Sequence, residues 1–100
     1  MNPYKLKSRT IIVGGHDSWL RELRQRLKGK VSYIGREQAS IDEASIAKAD
    51  VIWIQPNALS HGVMWRVSQR AKAAGVSVNY FGYAGVRNCL NQIIEADKLM

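Results

Sequence analysis

The chain predicts a single-domain α/β fold of three layers, with helices on both faces of a four-stranded parallel sheet of order 2-1-3-4. Three observations lead there. First, four strand-like runs alternate with four helix-like runs along the 100 residues, as βαβ units require. Second, Thr10–Val13 (TIIV) and Val51–Ile54 (VIWI) are apolar throughout, as strands sandwiched between helices must be. Third, Val31–Ile34 (VSYI) and Val76–Phe81 (VSVNYF) interleave polar with apolar residues, which places them at the sheet edges. Right-handed crossovers then put strands one and three in the middle, a shortened Rossmann/flavodoxin-like sheet.

Taken in order, residues 1–9 (MNPYKLKSR) read as a basic segment ahead of the first strand, and residues 10–100 as the domain. The first helix opens at Asp17, a candidate N-cap, sets Trp19 or Leu20, Leu23 and Leu27 on one face, and stops at Gly29. The second carries the capping box Ser40-Ile41-Asp42-Glu43 and ends near Asp50. The third starts at Ser60 or His61, buries Val63 or Met64, Val67, Ala71 and Ala74, and ends at Gly75. The fourth runs from about Val86 through Leu90, Ile93 and Ile94. Helices one and four are expected on one face, two and three on the other.

Composition bounds the function classes. Hydrophobic residues at 46% and charged residues at 23% are ordinary for a globular chain and argue against disorder. The single cysteine, Cys89, has no partner for an intramolecular disulfide and reads as a small buried hydrophobe in a helix. The basic start leads into a strand and not into the apolar core of a signal peptide, and no apolar run reaches the roughly 18 residues that span a bilayer. A cytoplasmic location and no membrane partner are the resulting expectations. Fifteen Lys and Arg against eight Asp and Glu give +7, which favours anionic partners.

In such a sheet, ligands bind outside the carboxyl ends of the strands where strand order reverses, between strands one and three. One wall of that crevice is Gly14, Gly15, His16, Asp17 and Ser18; the other holds Gln55, Asn57, Ser60 and His61; the loop with Tyr83 lies beside them. The glycines either expose backbone N–H groups to a phosphate or carboxylate, or simply permit a tight turn with positive φ. Asp17 and Ser60 are each explained by helix capping alone. GGHDS is neither the dinucleotide G-x-G-x-x-G pattern nor a P-loop, and Arg36, with Glu37 beside it, follows strand two where an acidic ribose ligand is expected. His16, His61 and Asp17 lack a compact metal-ligand spacing, so no metal is expected. A receiver-type phosphoryl acceptor is disfavoured, because Gly14-Gly15 and Gln55-Pro56 stand where its acidic residues are required.

The segments VGGHDSWL, ADVIWIQPNALSH and AGVSVNYFGYAGV together resemble the bacterial domain-of-unknown-function 2325 family over roughly Thr10 to Ile94. The resemblance implies a small Rossmann-like fold and groups Gly14, Gly15, His16, Asp17, Gln55, Asn57, Ser60 and His61 into one site. It brings no established reaction, and Tyr83 and Ala84 depart from the smaller or more polar residues expected in the family.

Three functional readings follow. The first is a small binding or regulatory module that holds an anionic ligand, a nucleotide or other phosphate compound, in the crevice; its cofactor, if any, is not indicated. The alternative is a nucleic-acid-binding accessory protein that uses a basic strip of Arg21, Arg24, Arg26, Lys28 and Lys30, as a candidate dimer. The third is an enzyme with His16 or His61 as general acid or base on a phosphate or carbonyl substrate, which requires both imidazoles at one pocket. Trp65 lies about one residue off the buried stripe of helix three. Its indole packs over the sheet edge, the simpler expectation, or anchors a second copy of the chain.

Overall fold

The computed structural model describes residues 2–35 and 43–100. It contains a four-stranded parallel sheet of order β2-β1-β3-β4, built from β1 (Tyr4–Val13), β2 (Leu27–Ile34), β3 (Val51–Ile54) and β4 (Ser77–Tyr80). The helices are α1 (Asp17–Arg26), α2 (Glu43–Lys48), α3 (His61–Ala74) and α4 (Val86–Lys98), with a single 3-10 turn at Pro56–Ala58. The expected order is therefore the observed one.

The two central strands alternate their side chains between two cores. Ile12, Val51 and Trp53 pack with α1 and α4, against Trp19, Leu20, Leu23, Cys89 and Ile93. Ile11, Val13, Ile52 and Ile54 face the other way, against Ile46 of α2 and Val67 and Ala71 of α3. Because both faces are covered, a continuously apolar run is what β1 and β3 need, and removing any of these residues would open a cavity costing about 2–5 kcal/mol. The aromatic centre of the first core is Phe81, stacked on Trp53 at 5.0 Å and edge-on to Trp19 at 5.5 Å.

The first strand is longer than its apolar run. Residues 4–9 are strand, not a basic lead segment, because Leu6 and Ser8 point inward and Tyr4–Leu6 pair with Leu27–Gly29. The same pairing shortens helix one: it ends at Arg26, and Leu27 is already extended, so Gly29 stops no helix. Gly29 instead takes φ +96° where a Cβ would lie 2.8 Å from the Leu6 carbonyl oxygen, a close approach that requires glycine. Between Leu6↔Gly29 and Thr10↔Val31 the register slips, so that Lys7, Ser8 and Arg9 stand opposite Lys30 alone. The N–H groups of Lys7 and Ser8 at this bulge donate to the Asp97 carboxylate of α4, at 3.1 and 3.0 Å, and the Tyr4 hydroxyl joins them at 2.7 Å.

Other boundaries move less. The N-cap of α1 is His16, not Asp17, which falls in the first turn where its charge complements the helix dipole. Ser60 caps α3 as expected, its Oγ accepting from the Val63 N–H at 3.2 Å, and Gly75 ends that helix in the left-handed region at φ +73°. Ala74 is exposed, while Val67 and Ala71 are buried and Val63 and Met64 pack partly buried against the same core. Strand four is trimmed to Ser77–Tyr80. In the capping box, Ser40, Ile41 and Asp42 lie outside the described residues, as do Arg36 and Glu37.

Candidate functional site

β1 and β3 lie side by side, Val13 opposite Ile54, so the bends that leave them face one another. Between those bends is a cleft of about 340 Å³. Gly15, His16, Ser18, Trp19 and Glu22 form one wall, Gln55, Asn57 and Ala58 the second, and Ala84, Gly85 and Val86 the third. Among the described residues, no Lys or Arg lines it.

The two glycines shape the cleft without offering it their amides. Gly14 N–H donates to the Ile34 carbonyl at 2.7 Å and Gly15 N–H to the Ala58 carbonyl at 3.0 Å, so of the two readings of the glycines the tight turn, and not the free donors, is the one observed. Both have positive φ, +87° and +100°. A Cβ on Gly14 would sit 3.0 Å from the carbonyl oxygens of Gln55 and Ala58, and one on Gly15 would overlap the Trp19 indole. Their role is close approach: β1's exit is pressed onto the 3-10 turn and onto α1. The donors that remain on this wall are the first-turn amides of α1, where His16 contributes no side-chain cap.

Gln55 is the polar centre of the opposite wall. It is 3% exposed, immediately after the last residue of β3. Its Nε2 donates to the Tyr83 carbonyl oxygen at 3.0 Å and approaches Cys89 Sγ at 3.7 Å, and these two acceptors fix which end of the amide is nitrogen. Cys89 Sγ in turn donates to the same Tyr83 carbonyl at 3.2 Å. Burial pushes the Cys89 thiol up from its ordinary value, against a smaller pull from the Trp19 and Gln55 donors, so this sulfur is a structural donor and not a nucleophile. The Gln55 Oε1 is buried and has no hydrogen-bond partner among the described residues. Leaving an amide oxygen in that state costs about 1–3 kcal/mol, which a donor on a bound molecule would recover.

Of the ten crevice residues expected from sequence, Gly15, His16, Ser18, Gln55 and Asn57 line this cleft. Gly14 supports it from behind. Asp17 lines a separate cleft with Leu20, Arg21, Arg24, Gln25 and Gly35. Ser60 and His61 stand at the start of α3, on the other side of the sheet, and are not among the residues that line this cleft with His16. Tyr83 serves through its backbone carbonyl, while its side chain is 50% exposed. Ala58, Ala84 and Gly85 fall within the stretches expected to wall the crevice, while Trp19, Glu22 and Val86 were not expected as lining. Ser18 and Glu22, four residues apart on α1, share a helix face, the one signal that marks Glu22.

The basic strip is divided. Arg21 and Arg24 line the cleft beside Gly35, with the Arg24 guanidinium 4.8 Å from the Tyr33 ring centre, and Arg26 and Lys28 are exposed at the α1–β2 junction. Lys30 belongs to a different cleft, with Arg9 and Lys48. Trp65 is 65% exposed, so it does not pack over the sheet edge: β4 is too short to offer that surface. Among the described residues, no group of three His, Cys, Asp or Glu side chains is placed to hold a metal ion, and no helix is long and apolar enough to cross a membrane. Compared with family models, with curated proteins and with solved structures, the chain finds no match.

Proposed function

We propose that this domain is a small-molecule-binding module whose switch-point cleft takes a nucleoside or nucleoside monophosphate. The observation that carries this reading is that Gln55, whose buried Oε1 has no partner among the described residues, lines a cleft that is otherwise largely apolar. Oriented from its nitrogen end by Tyr83 and Cys89, that oxygen accepts from a base N–H or amino group. Trp19, Ala58 and Val86 supply apolar surface for a planar body, and the first turn of α1 with His16 and Ser18 receives the anionic end. Glu22 in the lining, with no Lys or Arg among the described lining residues, favours one phosphate over a polyphosphate. The residues shared with the domain-of-unknown-function 2325 pattern include Gly15, His16, Gln55 and Asn57, which supports treating them as one site.

Titration of adenosine monophosphate, followed by amide shifts, tests the reading. Saturable shifts at Gly15–Trp19 and Gln55–Ala58 support it, and unchanged amides there refute it. The exposed Trp65 supports a second reading that concerns partners only: α3 meets another copy of this chain. Concentration-dependent sedimentation that Trp65→Ser abolishes is the expected result, and a monomer at every concentration removes the dimer.

A further inference from the structure

On the α2 side of the β1–β2 pair, two to four residues back along β1 from the strand ends that frame the switch-point cleft, lies a second cavity of about 290 Å³. The β-bulge makes it. Where Lys7, Ser8 and Arg9 stand opposite Lys30 alone, the two strands no longer fill the space beneath α2.

Arg9, Lys30 and Lys48 line this cavity together with Ser32 and Ser45, and no carboxylate does so among the described residues. Asp50 accepts from the Arg9 backbone N–H at 2.8 Å and is not part of the lining. Three cations brought from β1, β2 and α2 to one concavity repel one another, and a bound anion removes that repulsion while the Ser32 hydroxyl offers a further donor. The carbonyl end of α2 also points to this region, but a six-residue helix ending in Lys48 opposes an anion only weakly.

We propose that this basic cavity is a second binding site, independent of the switch-point cleft, for a phosphate group carried by a small molecule. The concavity is open to solvent, and its volume of about 290 Å³ has room for a phosphoryl group and a small substituent.

The experiment is a titration of the full chain with inorganic phosphate at constant ionic strength, chloride being the balancing ion, with amide shifts as the readout. The expected result is saturable shifts at Arg9, Lys30–Ser32 and Ala49. Lys30→Gln and Lys48→Gln should each raise the half-saturating concentration about three- to fivefold, and Lys48→Arg should retain most of the affinity. All three side chains are exposed, so the variants keep the fold, which their melting curves verify. Shifts that rise linearly, or that chloride reproduces, overturn the site. Shifts at Gly15 and Gln55 in place of Lys30 also overturn it, and assign the phosphate to the switch-point cleft. A short single-stranded oligonucleotide forms the second arm: if it saturates at Lys30 and Lys48 while phosphate does not, the small-molecule source is wrong and the cavity belongs to a nucleic-acid surface.

Discussion

Gln55 donates its side-chain N–H to the backbone carbonyl of Tyr83 at 3.0 Å, across 28 positions of sequence. This bond ties the end of β3 to the loop after β4 and leaves the other end of the amide buried, without a partner among the described residues, on a residue that lines the cleft.

Gln55→Met is expected to abolish ligand binding while changing stability by less than about 1 kcal/mol. The lost donor bond is offset by removal of an unsatisfied buried oxygen, and Cys89 still donates to Tyr83. Denaturant unfolding measures the stability. A loss of several kcal/mol would show the amide to be structural.

Gly15→Ala is expected to destabilise by on the order of 2–4 kcal/mol, because it combines φ +100° with overlap of the Trp19 ring. Gly62→Ala is the contrast: nothing lies within 4 Å of a Cβ there, and alanine in α3 should stabilise by about 0.5–1 kcal/mol. Thermal melts of the two variants moving in opposite directions is the predicted outcome.

Asp97 gives the fold an acid limit. Burial pushes its carboxyl upward, but the Tyr4 hydroxyl, the Lys7 and Ser8 N–H groups and the Ser8 hydroxyl together hold it below the ordinary value. The folded state therefore binds this proton less readily than the unfolded one. The contribution is full above the unfolded carboxylate value of about 3.9 and is lost as pH falls through the folded value. The hydrogen bond to Asp97 is also the main reason the Tyr4 hydroxyl is raised, so its contribution is lost as pH rises beyond about 10, through the folded value. Asp97→Asn should flatten the acid limb and cost on the order of 1–3 kcal/mol near neutrality, read from unfolding at several pH values.

Much of the architecture was legible because β1 and β3 must be apolar on both faces, and Ile11–Val13 and Val51–Ile54 announce that requirement. The extension of β1 was not, because Lys5, Lys7 and Arg9 alternate with a single strong hydrophobe, Leu6, and the partner that stabilises the segment, Asp97, lies 89 positions from Ser8. The cleft was legible at Gly15, His16, Gln55 and Asn57, which the topology alone brings together. Where the glycine amides point was not, since Ile34 and Ala58 take them through contacts that no local pattern encodes. His61 fell outside for a related reason: the chain passes under the sheet edge through the Pro56–Ala58 turn before α3 begins on the other face.

The most direct measurement is adenosine monophosphate titrated into the wild-type chain and into Gln55→Met, with amide shifts mapped on both. The cleft account predicts saturable shifts confined to Gly15–Trp19, Gln55–Ala58 and Ala84–Val86 in the wild type, and none in the variant. Shifts that persist undiminished in Gln55→Met, or that gather at Lys30 and Ala49 while Gly15 and Gln55 stay still, would contradict it.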